Sequence, residues 1–122
     1  MSNPGAKTTL YHNPSCGTSR NTLAAIRAAG VEPEVVEYLK AGWTRPLLER
    51  LLKTMGATPR DILRVRGTPA EALGLTAPDA SDDQILNAMV AHPILVERPI
   101  VVTPKGAALC RPMEKVQALL PG

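Results

Sequence analysis

A chain of 122 residues with 44% apolar and 20% charged side chains is long enough for one core and too short for two ordinary domains, so residues 1–122 are expected to form a single domain. The net charge of +3 is mild and no Lys or Arg block stands out, which gives nucleic-acid binding little support. With two Tyr, one Trp and no Phe, stacking of bases on aromatic platforms is disfavoured, and the core must be built from Leu, Ile, Val, Ala and Met.

The N-terminal stretch from Met1 to Lys7 has no apolar run of the kind an export signal needs. No segment is long enough to span a membrane. A cytoplasmic protein is expected. In that compartment cysteines stay reduced, and a reactive one is more often catalytic than structural.

In chain order, residues 8–12 read as a strand. It runs into the turn His12-Asn13-Pro14-Ser15-Cys16-Gly17-Thr18-Ser19-Arg20. Residues 17–29 read as a helix with Leu23 and Ile26 on one face and Gly30 as its stop. Residues 34–39 alternate as a second strand, which should lie parallel to the first. Thr44, Thr58, Thr68 and Ser81 look like N-caps, two of them followed by Pro at the first helical position. Thr68 with Glu71 and Ser81 with Gln84 have capping-box spacing. Helices are expected near 45–55, 59–64, 69–73 and 82–91. Strands follow at 98–103 and 107–110 around a turn at Pro104-Lys105-Gly106, and a last helix begins at Pro112 and runs through Val116 to Leu120.

Cys16 stands in a turn at the start of a helix. Exposed amides and the positive end of the helix dipole favour a thiolate there, and the same amides attract an oxyanion. The bland alternative is a small buried apolar residue, but the polar turn formers on both sides argue against deep burial. Cys16 is therefore expected to titrate below the ~8.5 of a free thiol. His12 either stabilises that thiolate or is a strand-end residue with a satisfied ring. A zinc site built on His12 and Cys16 would need His92 and Cys110 as further ligands, and is disfavoured. Cys110, late in an apolar strand, reads as core.

Two familiar thiol classes fail on spacing. Ser19 occupies the second-cysteine place of a Cys-x-x-Cys motif, so the local dithiol is missing. The arginine of a Cys-x5-Arg phosphatase loop would fall at Thr22. Arg98 before Pro99 and Arg111 before Pro112 lie at ends of elements, where loops build sites.

The segment from His12 to Leu23 closely resembles the active-site segment of the glutaredoxin-linked, glutathione-dependent bacterial arsenate reductases. So do His92–Pro104 and Leu109-Cys110-Arg111-Pro112, in the family's order. The resemblance runs from about Thr8 to Leu120. It implies an α/β fold with a thioredoxin-like βαβ–ββα core and a helical insertion between the second and third strands. It also implies Cys16 as the nucleophile that attacks arsenate, and His12 as the histidine beside it. Arg64, Arg98 and Arg111 would bind the oxyanion, with Asn13, Ser19 and Pro99 in support and no metal. Arg66, close after Arg64, is a competitor for that role. The Arg98–Pro99 bond is expected to be cis, because thioredoxin-like folds place a cis-proline at the start of the strand facing the active-site cysteine. Some relatives carry a tail beyond Leu120, expected to be dispensable for the site.

Reducing As(V) to As(III) takes two electrons, more than Cys16 alone supplies. Reductases with phosphatase-like loops use three of their own cysteines, whereas this chain has two. The resemblance implies glutathione as co-substrate, glutaredoxin as partner and arsenite as product, with no bound cofactor and the protein acting as a monomer. The rival readings are a family member with a different oxyanion or thiol substrate, and a redox-responsive transcription regulator of the same superfamily. The missing Cys-x-x-Cys pair argues against the regulator.

Overall fold

The computed structural model describes residues 7–121, so the N-terminal stretch read above for an export signal lies almost wholly outside it. The described chain divides into two compact units. One comprises the chain up to Ala41 together with the chain from Arg98 onward, and the other comprises Gly42–Glu97.

The first unit is built on a four-stranded sheet. Its strands are β1 (Thr9–His12), β2 (Glu34–Glu37), β3 (Ile100–Thr103) and β4 (Gly106–Leu109), in spatial order β2-β1-β3-β4. β1 and β2 are parallel, as the strand–helix–strand reading expects, with His12 opposite Glu37. β3 runs antiparallel to β1, and β4 antiparallel to β3. Helix α1 (Gly17–Ala28) joins β1 to β2. It presents Ser19, Thr22 and Ile26 as its buried residues, and Gly30 ends the turn after it at φ +84°, a conformation only glycine adopts cheaply. Leu10, Ile26, Val101, Cys110 and Val116 are fully buried in one cluster. In β1 the buried positions are Leu10 and His12, so the strand's period of two puts His12 on the same core face as Leu10.

Three local expectations for this unit are corrected. β2 stops at Glu37, not at 39, because Tyr38 opens a one-turn helix, α2 (Tyr38–Ala41). That turn buries Tyr38 completely and leaves Leu39 exposed, a pattern that resembles alternation in the sequence. β3 begins at Ile100 and β4 at Gly106, two residues later and one earlier than expected. The last segment, Met113–Leu119, is a 3₁₀ helix, which still buries Val116 and Leu119.

In the second unit α3 (Arg45–Met55) is capped by the Thr44 hydroxyl, which accepts from the Leu47 amide at 3.3 Å. Helix α4 (Asp82–Ala91) carries the expected capping box: Ser81 Oγ accepts from the Gln84 amide and Gln84 Oε1 from the Ser81 amide. Residues 59–64 form only a 3₁₀ turn, Pro59–Ile62. The chain then extends, with Leu63 bridging to Val96 and the Arg64 amide donating to the Leu95 carbonyl at 2.7 Å. A second 3₁₀ turn, Pro93–Leu95, precedes that bridge. Residues 69–73 form turns instead of a helix. The Arg60 guanidinium donates to the carbonyls of Leu75, Ala77 and Ala80, satisfying acceptors outside any helical ladder. Gly74, at φ +75°, lies within these turns, which continue past it.

Candidate active site

β1 delivers His12 and Asn13 to a tight turn. Asn13 is buried; its carbonyl accepts from the Cys16 amide at 3.0 Å and its side-chain oxygen from the Ser15 amide at 2.9 Å. Cys16 is the N-cap residue of α1, in extended geometry, and its carbonyl accepts the first helical bond from the Arg20 amide. Its thiol therefore faces the unpaired end of a helix. The side chain is only 8% exposed, so the deep burial that the polar flanks argue against is nevertheless present. The flanks are polar because the turn consumes their hydrogen bonds, not because they are all wet: Asn13 and Ser19 are buried while Pro14 and Ser15 are exposed.

Arg98 and Arg111 come from the opposite end of the first unit's sequence and meet at this thiol. The Arg111 guanidinium donates to Cys16 Sγ at 3.7 Å and to the Arg98 carbonyl at 3.2 Å. Burial pushes the Cys16 thiol up. Hydrogen bonding from Arg98, the Ser19 amide, the Arg98 charge and Arg111 outweigh that penalty and bring it down to about 7. Arg98 Nε is buried and has no hydrogen-bond partner among the described residues. A buried guanidinium N–H in that state is a donor waiting for an acceptor.

The Arg98–Pro99 bond is cis, as expected, and so is Arg111–Pro112, which was not anticipated. The Arg-Pro dipeptide carries no signal of its own, since only about 5–6% of X–Pro bonds in folded proteins are cis. Pro99 is buried, and its carbonyl accepts from the Cys110 amide at 2.9 Å, joining the two arginine-bearing ends.

His12 is buried and its Nδ1 lies 2.6 Å from Ser19 Oγ, a hydroxyl that accepts from the Asn13 amide at 3.1 Å. Its link to the thiol runs through Ser19, whose own amide serves Cys16. Burial lowers the pKa of His12 below 6.5; Glu37 opposes this, while Arg27 and Arg20 add to it. Arg20, four residues after Cys16 and given no role from the sequence, donates to the Pro14 carbonyl at 2.9 Å and so holds the exposed tip of the turn. Its spacing of four from Cys16 on one helix was the available sign.

Arg64 belongs to the second unit, where its guanidinium pairs with Glu97 at 2.8 Å; both side chains are largely buried. Arg66 is exposed in a turn. Cys110 is fully buried in the core and burial pushes its thiol up to about 11, so it is protonated at neutral pH. No group of three or more metal-capable side chains gathers among the described residues.

A cysteine at the N-cap position of α1, on a mixed four-stranded sheet with helices inserted between β2 and β3, defines a thioredoxin-like α/β protein with a helical insertion. The chain belongs to the ArsC family, which it matches over residues 11–119. It is 56% identical over 113 residues to an arsenate reductase of Rhizobium meliloti (strain 1021), covering 93% of this chain and 81% of that protein. It is 50% identical over 113 residues to the arsenate reductase of Escherichia coli (strain K12), covering 93% of this chain and 80% of that protein. The solved structure of the arsenate reductase from Vibrio cholerae superposes with a TM-score of 0.89 at 37% identity, covering 94% of this chain and 98% of that one.

Proposed function

We propose that this protein reduces arsenate to arsenite through a covalent adduct at Cys16, with electrons from glutathione and glutaredoxin. The observation that carries the reading is a thiol held at about 7 between Arg98 and Arg111. Arsenate is an anion at neutral pH, so a thiolate must approach like charge. Two guanidinium groups offset that repulsion, and their planar forks fit a tetrahedral oxyanion. The unpaired Nε of Arg98 is the donor an arsenate oxygen would satisfy. Arg64 is the third arginine of the family resemblance; an anion there would compete with Glu97 for its guanidinium.

In the proposed sequence the Cys16 thiolate bonds to arsenic and an oxygen leaves as hydroxide or, with a proton, water. The thiolate of glutathione then attacks Cys16 Sγ. The sulfur–arsenic bond breaks with its electron pair staying on arsenic, which leaves as arsenite. The resulting Cys16–glutathione disulfide is opened by glutaredoxin, whose thiolate takes the glutathionyl group and releases Cys16. An external reductant fits the inventory: the second cysteine is buried and protonated, and so is a poor resolving thiol. The proposed location is the cytoplasm, where reduced glutathione is abundant. We take the acting species to be a monomer. No helix among the described residues is long and apolar enough to cross a membrane.

The test is arsenite production from arsenate with glutathione, glutaredoxin and a reducing system, omitting each component in turn. Arsenite should require all of them and vanish in Cys16→Ser. Absence of arsenite with every component present, from folded wild-type protein, contradicts the reading.

A further inference from the structure

Ser19 Oγ sits between two partners, the Asn13 amide at 3.1 Å and His12 Nδ1 at 2.6 Å. The amide can only donate, so it occupies one lone pair of the hydroxyl oxygen. The proton between Ser19 and His12 then has two possible owners. A neutral imidazole protonated at Nε2 accepts it from the serine at Nδ1. An imidazolium donates from Nδ1 instead, and the serine proton must turn elsewhere. With the neutral ring in its Nε2-protonated tautomer, the charge on His12 therefore fixes the direction of a hydrogen bond to the hydroxyl of Ser19, the residue whose own amide serves the Cys16 thiol.

His12 lies among groups of both signs. On β2 its register partner is Glu37, and paired residues of neighbouring strands share a sheet face. From α1, Arg20 and Arg27 bring positive charge toward it. The β3 residues paired with β1 are Ile100, Val101 and Val102, all apolar. Lys40 of α2 lies 3.5 Å from the Glu37 carboxylate, with its own side chain 83% exposed. Among the described residues Glu37 is thus the acidic group whose charge acts on the ring from the strand beside it, and Lys40 lies close enough to offset that charge in part. A buried imidazole has lost hydration, and its charged form depends on such a carboxylate.

We propose that Glu37 is a positioning residue: from the neighbouring strand it supplies the negative charge that decides whether His12 accepts a proton from Ser19 or donates one to it. This rests on reading Cys16 as the nucleophile. Glu37 acts through His12 and touches no reacting atom. It widens, toward neutral pH, the range in which the imidazolium exists and the Ser19 proton is free, and Lys40 narrows that range.

The experiment follows the His12 ring C–H resonance against pH by NMR, with His12→Gln used to distinguish it from His92. In Glu37→Gln the His12 midpoint should fall below wild type. Glu37→Asp, which keeps the charge, should move it back toward wild type. Lys40→Gln should raise it. A merely structural role for Glu37 at the edge strand would leave the midpoint where it is. Equal midpoints in wild type and folded Glu37→Gln overturn the proposal. Should Glu37→Gln not fold, the exposed Lys40 decides, and a midpoint in Lys40→Gln that stays put or falls overturns it. The titration needs no arsenate, so a protein that makes no arsenite yet shows these shifts refutes the proposed activity and leaves Glu37 standing.

Discussion

The two cysteines of this chain differ by several units in acidity although both are buried. Cys16 is drawn down to about 7 and Cys110 is pushed up to about 11. Burial raises both, and Cys110 lies the deeper, but burial alone would leave Cys16 above the free value as well. What separates them is what each finds when it gets there. Cys16 meets Arg98, Arg111 and the Ser19 amide; Cys110 meets apolar core, with its thiol 3.7 Å from the Ala108 carbonyl. A thiol becomes a nucleophile through its donors, and the fold supplies those donors by bringing two Arg-Pro segments to the start of one helix.

The largest break in that comparison is Cys16→Ser, which should abolish arsenite formation while circular dichroism stays that of wild type. Next, Arg98→Ala and Arg111→Ala should each lower kcat/KM by the equivalent of about 1.5–3 kcal/mol, roughly 13- to 160-fold, the value of a hydrogen bond to a charged group. Both should raise the midpoint of thiolate formation, Arg98→Ala more, because Arg98 contributes both a hydrogen bond and a resolved charge effect at the thiol. Equal midpoints in wild type and Arg98→Ala would mean that the helix end alone sets the acidity.

Cys110→Ser reverses the comparison. It should leave kcat/KM near that of wild type but reduce stability by about 1–3 kcal/mol in urea unfolding, because a hydroxyl replaces a weakly polar thiol in the core. Lost turnover in a folded variant would make Cys110 a resolving thiol and remove the case for an external one.

The smallest effect belongs to His12. Burial holds its folded pKa below 6.5, so below that pH the unfolded chain binds the extra proton first. Its contribution to stability is complete above pH 6.5 and is lost as the pH falls through the lowered folded value. His12→Gln should therefore flatten the acid side of the stability profile, measured as urea midpoints between about pH 8 and about pH 5.

The sequence disclosed most where local chemistry decides. The polar turn before α1, the Gly30 stop, the Thr44 and Ser81 caps and the parallel β1–β2 pair all depend on neighbours in the chain. It misled where a distant partner decides. Residues 69–73 have a cap and a proline for a helix, yet Arg60 takes the carbonyls just beyond and the segment stays in turns. Tyr38 leaves the strand because its ring is buried in a helical turn, which alternation cannot reveal. At the site, the turn position of Cys16 was readable from its own segment. The meeting of Arg98 and Arg111 was not, since local pattern gave each only an element end, and the family resemblance was needed to join them. Glu37 escaped notice because its importance lies in a strand register.

The most direct test of an arginine-held thiolate is the absorbance of Cys16 against pH in the Cys110→Ser background, where one thiol remains. The midpoint should lie at about 7 and should rise when Arg98 is replaced by Ala. A midpoint at or above the ~8.5 of a free thiol would contradict the account.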